Sequence, residues 1–425
     1  MFHDSSTNEG SSAETATKTS RNPYAVVYSK PGTKAFSLSG ALARFPMSMV
    51  GLGIILMIEG LYDSYELGGR VSAAYVIAQA LCSPQIAKLV DRKGQARIMR
   101  PMVVVSSLSL TALIISAVTH QSAALLYVFA IATGATIGSI GAMVRARWSH
   151  VIKDPRELHT AYSLEAAIDE LIFVIGPIAA TLLATSIASW SGLVVPIFLM
   201  VLGGFWFLSQ RSTEPPLVKP VAGEHVPTVL RNPAVLAIIA IFICTGVIFG
   251  AADVSTIAFA EEQGSKGSSG IVLGVFALGS CISGLAYGAR QWASPLWKRF
   301  LVGIIALGVL VCMFFVAKNL VMLSLAMFLA GFAISPTLIN GNNIIQLVVS
   351  PRQLTEGLTW VGTALGVGVS IGSSIAGTRI DNMGAHAGFL VVVIAGVSQV
   401  FIALLAARTL RARTAIHTIQ EHPTA

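Results

Sequence analysis

Charge is what this sequence has least of. Only 11% of its 425 residues are Asp, Glu, Lys or Arg, where a water-soluble domain carries about 25%. Metal-ligand spacing is also missing. Cys82, Cys244, Cys281 and Cys312 each sit alone in an apolar run, which reads as packing and leaves the redox compartment open. There is no phosphate loop, no His-Glu-x-x-His and no Gly-x-Ser-x-Gly. The expectation is therefore no direct drive by ATP, no cofactor, no metal and no enzyme activity. Residues 1–33 carry Asp4, Glu9 and Glu14 among Ser and Thr without an apolar stretch of signal-peptide type. They read as a disordered tail, or alternatively as a regulatory docking segment.

What the chain has in abundance is apolar length. Hydrophobic residues make up 54% of it, and the mean hydropathy is +0.74. The surplus lies in runs of roughly 20 residues, enough to cross a bilayer core. Twelve spans are expected, near 35–59, 67–89, 101–119, 123–145, 159–186, 190–208, 233–259, 268–289, 300–317, 320–346, 357–379 and 386–407. They must be helices, because lipid offers no partner to a free backbone group. The expected class is an all-α polytopic membrane protein, with a very apolar soluble helical protein as the alternative.

Basic residues settle the expected orientation. The net charge is +8, which in a soluble protein would suggest nucleic acid. Here most of the 28 Lys and Arg residues fall on one side if the N-terminus is cytoplasmic. The exceptions are Arg70, Lys266, Lys318 and Arg379, plus Arg44 inside span 1. The positive-inside rule then places both termini in the cytoplasm of a cell membrane, with no nucleic-acid partner. The longest break, 209–232, contains Pro215, Pro216, Pro220 and Pro227. It reads as a cytoplasmic linker between two six-helix bundles, 34–208 and 233–408, with a short tail over 409–425. The bundles look like a repeat: Pro155-Arg156-Glu157-Leu158 after span 4 matches Pro351-Arg352-Gln353-Leu354 after span 10. Two such halves related by an axis along the membrane normal are a known transporter design.

Between spans 2 and 3 lies Ala87-Lys88-Leu89-Val90-Asp91-Arg92-Lys93-Gly94-Gln95-Ala96-Arg97. In this place and pattern the chain resembles the major facilitator superfamily, whose loop reads Gly-x-Leu-(small)-Asp-Arg-x-Gly-Arg-Lys. Leu89, Asp91, Arg92 and Gly94 match, Ala87 replaces the first Gly, and the basic pair is displaced to Arg97. The resemblance covers about residues 34–408. It implies a secondary transporter working by alternating access, with a cytoplasmic gate at Asp91, Arg92, Gly94 and Arg97. It also implies a weak exporter signature in span 5, where Gly176-Pro177-Ile178-Ala179-Ala180-Thr181 stands for Gly-Pro-x-x-Gly-Gly. Gly176 and Pro177 would kink that helix.

The remaining candidates come from the residues themselves. Glu165, Asp169 and Glu170 crowd span 5, and each ionised acid at membrane depth costs roughly 2.5–3.5 kcal/mol. Like charges oppose each other's ionisation, which predicts an exchangeable proton. Arg44 and Asp169 each lie about ten residues from a cytoplasmic span end, a depth of roughly 15 Å at 1.5 Å per residue. Arg44 is expected to pair with Asp169, Glu165 or Glu170, either as a coupling site or as a static ion pair. At the repeat offset those acids map to Val361, Leu365 and Gly366, so the architecture itself does not demand them. Arg145 and Arg147 are either snorkelling anchors or gate partners of Asp91. Asn340, Asn342, Asn343 and Asp253 are candidate cavity-lining groups. Gly362, Gly366, Gly368 and Gly372 in span 11 predict close helix packing or flexibility. The expected activity is proton-coupled efflux of a small amphipathic solute or metabolite by a monomer in the lipid bilayer. Uptake by symport or uniport, and a non-transporting sensor or scaffold, are the alternatives.

Overall fold

Why the chain folds as it does follows from capping and apolar length. Each helix must satisfy its own backbone where no water reaches, so polar caps appear only at span ends. The computed structural model describes residues 22–217, 228–265 and 268–421, and such side-chain caps start four of its long helices, at Ser64, Asp154, Asn232 and Asn319. The N-terminal half holds α1 (Pro23–Val27), α2 (Thr33–Arg44), α3 (Pro46–Tyr62), α4 (Tyr65–Lys93), α5 (Gln95–Val118), α6 (Ala123–Thr136), α7 (Ile140–Val151), α8 (Pro155–Ser186) and α9 (Ser191–Ser209). The C-terminal half holds α10 (Pro233–Glu262), α11 (Ser269–Ala289), α12 (Leu296–Phe315), α13 (Leu320–Val348), α14 (Leu354–Met383) and α15 (Ala385–Glu421). Among the described residues, twelve units are long and apolar enough to span a bilayer, with α2–α3 and α6–α7 counting as one each. Asp154 and Asn232 cap α8 and α10, each with Pro at the first helical position, where a missing N–H costs nothing.

Spans 1 and 4 are not the single helices expected over 35–59 and 123–145. Span 1 breaks at Phe45–Pro46 because Pro46 has no N–H to donate to the preceding turn. Span 4 breaks at Gly138, whose φ of +65° only glycine adopts without strain. The first break leaves Arg44 as the last residue of α2, free to turn inward. By contrast α8 runs through Gly176-Pro177 as one helix. A Cβ at Gly176 would strike Ser48 of α3, so that glycine serves close packing.

Each half builds its own core. One apolar cluster joins Val50, Leu110, Trp148 and Phe207 in the first half; another joins Phe276, Leu307, Phe314 and Phe389 in the second. A third lies at the end bearing the termini and crosses between halves, setting Ala142 and Ala146 of α7 beside Leu358, Val361 and Ala364 of α14. The halves also meet where α8 packs on α11 and α13, and where α4 packs on α14.

Two expected boundaries move. The tail expected over 1–33 lies outside the described residues as far as 21, but from Asn22 the chain is folded. Tyr24 donates its hydroxyl to the Leu285 carbonyl of α11, in the opposite half. Burial, and next the neighbouring Cys281, push that hydroxyl up to about 12, so it remains a donor. The tail expected from 409 is instead a continuation of α15 to Glu421. Of the linker, 218–227 lie outside the described residues.

Small residues bring α10 and α14 together. A Cβ at Gly246 would strike the Leu365 carbonyl, and one at Gly368 the Ile243 carbonyl. Gly372 meets Val247 in the same way, whereas Gly362 and Gly366 have nothing within 4 Å. Close approach therefore belongs to the second expected glycine pair and not to the first. Gly246→Val should cost at least the 1–3 kcal/mol typical of overpacking, while Gly362→Val should leave the thermal midpoint of the detergent-purified protein near that of the parent. Equal midpoints for the two variants would refute this division.

Candidate functional site

Arginine is the residue best suited to bridging two carboxylates, because its five N–H donors lie in a fixed plane. The break after α2 points Arg44 into the first half, where it is only 2% exposed. Its Nη2 lies 2.5 Å from Glu165 Oε2 and its Nη1 lies 2.7 Å from Asp169 Oδ1. Its Nε donates to the Gly40 carbonyl at 3.1 Å. Glu165 and Asp169 are four residues apart on α8, so one guanidinium can reach both. Glu165, fully buried, accepts on Oε1 from Ser37 Oγ and Trp148 Nε1, each at 2.7 Å. Asp169 is claimed a second time by Arg145 Nη2 of α7, at 2.7 Å. Two arginines and two carboxylates thus form a neutral network, closed at Glu165 and open at Asp169, whose side chain is 20% exposed.

Glu170 faces the other way, as its 100° rotation from Asp169 requires. It accepts from Ser280 Oγ of α11 at 2.7 Å, and Ser280 is in turn 2.9 Å from Ser335 Oγ of α13. Across the gap between halves, Asp253 of α10 interacts electrostatically with Glu170. Asp253 is accessible at its surface although it lies well within a span. Among the described residues no ion pair neutralises either acid. Of Asp169, Glu170 and Asp253, only the first has an arginine partner among the described residues.

Toward the termini the halves are joined by polar contacts. His159 of α8 is 3.2 Å from Asn343 Nδ2 and 3.3 Å from the Tyr287 carbonyl. Thr160 donates to the Gly288 carbonyl at 2.7 Å. Within the second half, Asn340 Nδ2 donates to the Tyr287 hydroxyl at 2.9 Å. Asn343 is buried in the contact between halves and Asn340 is buried beside it, in place of the cavity lining expected. Asn342 turns back to the Leu338 carbonyl of its own helix. His159 escapes a reading of the sequence: a lone histidine near a span end carries no spacing that marks it, and its partners lie 128 and 184 residues away.

The loop after α4 contributes to the same closure. Asp91 Oδ2 accepts from the Glu356 backbone N–H at 2.9 Å, in the first turn of α14. A carboxylate there satisfies an orphan donor and complements the helix dipole. Arg92 and Lys88 act electrostatically on Glu356. Gly94 takes φ +95° and a Cβ there would sit 3.2 Å from Glu214 Oε1. Neither Arg145 nor Arg147 pairs with Asp91. Arg145 is held by Asp169, one turn along α8 from Glu165. Arg147 lies 3.8 Å over the Phe207 ring and donates to Gln95 Oε1 at 2.8 Å and to the Gln210 carbonyl at 2.9 Å. It fastens the chain after α9 to α5 and α7.

Twelve spans in two six-helix halves, closed at one end around buried charges, define a membrane transporter of the two-bundle type. The chain belongs to the Major Facilitator Superfamily, whose family model matches residues 36–298. No curated protein matches it. Among solved structures it is similar to the human organic anion transporter MFSD10 (TETRAN), with a TM-score of 0.68 at 14% identity over 87% of this chain and 98% of that one. It is also similar to a bacterial homologue of the iron transporter ferroportin in an outward-facing state, with a TM-score of 0.69 at 13% identity over 90% and 99%. At such identities the likeness shows the fold.

Removing one member of a buried ion pair leaves the other uncompensated, at a cost of about 3–5 kcal/mol. Arg44→Gln should therefore lower thermal stability sharply, and Arg44→Gln combined with Glu165→Gln should recover most of the loss. A double variant no more stable than the single one would contradict the pairing.

Proposed function

We propose that this chain is a proton-coupled secondary transporter that exports a small amphipathic solute or metabolite by alternating access, as a monomer in the cell membrane with both termini cytoplasmic. The observation that carries this reading is the contrast between the acids. Glu165 is saturated with donors and Asp169 is held by two arginines, while Glu170 and Asp253, one from each half, have no cation partner among the described residues. An uncompensated acid in such a place is costly when ionised and holds a proton readily. A proton entering from the open side would sit on Glu170 or Asp253 and be released when the halves rock. That shifts the coupling role from Asp169 toward the pair that spans both halves.

The closed end supports the direction of the cycle. With the termini in the cytoplasm, the Asp91–Glu356 bond and the His159–Asn343 layer close the cytoplasmic side. Such a closure fits an outward-open arrangement, the state in which the similar bacterial ferroportin homologue was solved. Outward protons would then meet the acids before the inward-open state binds cargo.

The test is flux in inverted vesicles across a panel of amphipathic solutes and metabolites, with and without a pH gradient. Glu170→Gln and Asp253→Asn should each cut gradient-driven flux at least tenfold while leaving the amount of folded protein unchanged. Asp169→Asn, which frees Arg145 as an unpaired cation, should lose both flux and stability. Full gradient-driven flux in Glu170→Gln and in Asp253→Asn would remove proton coupling from these acids. Flux unaffected by any gradient would favour a uniporter.

A further inference from the structure

Outside the central site, the strongest unassigned feature is a groove of about 820 Å³ at the terminus-bearing end. It lies between the start of α5 and the chain that follows α9. Lys93, Arg97, Arg100 and Arg211 line it, with Glu214 as the single acid. Glu214 is already engaged: Oε1 accepts from the Ala96 N–H at 3.0 Å and Oε2 pairs with Arg211 at 3.0 Å. Arg100 spends one N–H on the Leu208 carbonyl at 3.0 Å, and its Nε is buried with no acceptor. Among the described residues no carboxylate pairs with Lys93, Arg97 or Arg100. Three positive charges thus line one groove with no carboxylate paired to them among the described residues.

Beyond Pro101, where the groove ends, the same face of α5 is apolar and exposed. Arg97, Pro101, Val104, Val105 and Leu108 follow one face of α5 at helical spacing. Val104, Val105 and Leu108 are exposed, as are Leu202 and Phe205 on the neighbouring α9. From Arg97 to Leu108 the helix rises roughly 16 Å at 1.5 Å per residue, a length comparable to much of an acyl chain. A free inorganic anion would use the cationic end alone. A lipid would use both the charges and the stripe.

We infer that this groove is a binding site for an anionic phospholipid, whose phosphodiester oxygens accept from Lys93, Arg97 and Arg100 and whose acyl chain lies along the Val104–Leu108 face of α5. Basic pockets at the cytoplasmic ends of membrane helices suit such headgroups. The site depends on the chain spanning a membrane and not on what it carries, so it stands or falls apart from the proton-coupling reading. Because Glu214 joins the chain after α9 to the Gly94 turn, an occupied groove would also brace the Asp91 loop.

The experiment uses the full-length protein in detergent, delipidated and then supplied with phosphatidylglycerol, phosphatidylcholine or inorganic phosphate at equal phosphate concentration. Native mass spectrometry and thermal unfolding are read together. Phosphatidylglycerol should be retained at least fivefold over phosphatidylcholine and should raise the thermal midpoint by several degrees, less so at high salt. Lys93→Gln combined with Arg97→Gln changes two exposed side chains, so the fold is kept, and it should remove both effects. Arg100→Gln should do the same, with the lipid-free midpoint as its folding control. An equal shift with inorganic phosphate would identify an anion site and overturn the lipid assignment. Retention of both lipids alike, or of phosphatidylglycerol by the double variant, would overturn it as well.

Discussion

The bilayer's intolerance of bare charge is the constraint on which the rest of this molecule depends. Glu165 sits within a membrane helix with no exposed surface, and Arg44, Ser37 and Trp148 all donate to it. To bring Arg44 there, the first span has to end its first helix early, and Pro46 ends it. To bring Trp148 and Arg145 there, the fourth span has to turn at Gly138. The two irregularities of the first half are therefore the backbone conditions of one polar network. Irregular backbone at membrane depth is tolerated where protein surrounds it, and both breaks lie among packed helices.

The same constraint makes the halves unequal. At the positions related by the repeat, the second half has Val361, Leu365 and Gly366. Two of those positions serve packing: Val361 belongs to the apolar cluster shared with α7, and the Leu365 carbonyl is the surface on which Gly246 packs. Along their contact, α10 and α14 are packed by small residues against one another. A helix that carries buried charge must devote side chains to pairing it, as α8 does. In the second half the buried acid Glu356 lies at the start of α14, where Asp91 accepts from its backbone N–H.

Much of this is legible in the sequence because the relevant physics is local in depth. Hydropathy marks spans, and counting residues from a span end places Arg44 and Asp169 at one level. That is enough to expect them together, and the structure sets them 2.7 Å apart. Counting does not tell which face meets which, so it offers Arg145 to Asp91 although Asp169 holds it. It also says nothing about how two halves dock. Hence Asn340 and Asn343 are expected to line the cavity, while Asn343 bonds His159 across the halves and Asn340 bonds Tyr287 within its own half. Gly362 and Gly366 are expected at a contact for the same reason: the spacing that permits close approach does not say whether a helix lies opposite.

The division of the acids follows from these two levels together. Depth alone treats Glu165, Asp169 and Glu170 as one cluster of three. Azimuth separates them: the i, i+4 pair turns to Arg44 within its own half, and the next residue turns to Ser280 and Asp253 in the other. An acid held by arginine in its own half keeps the same partner however the halves move. An acid whose neighbours belong to both halves has its surroundings changed by every rocking motion, because Ser280 and Asp253 travel with the second bundle. Only a group of the second kind can link its protonation to the motion without breaking the network that makes the first half stable.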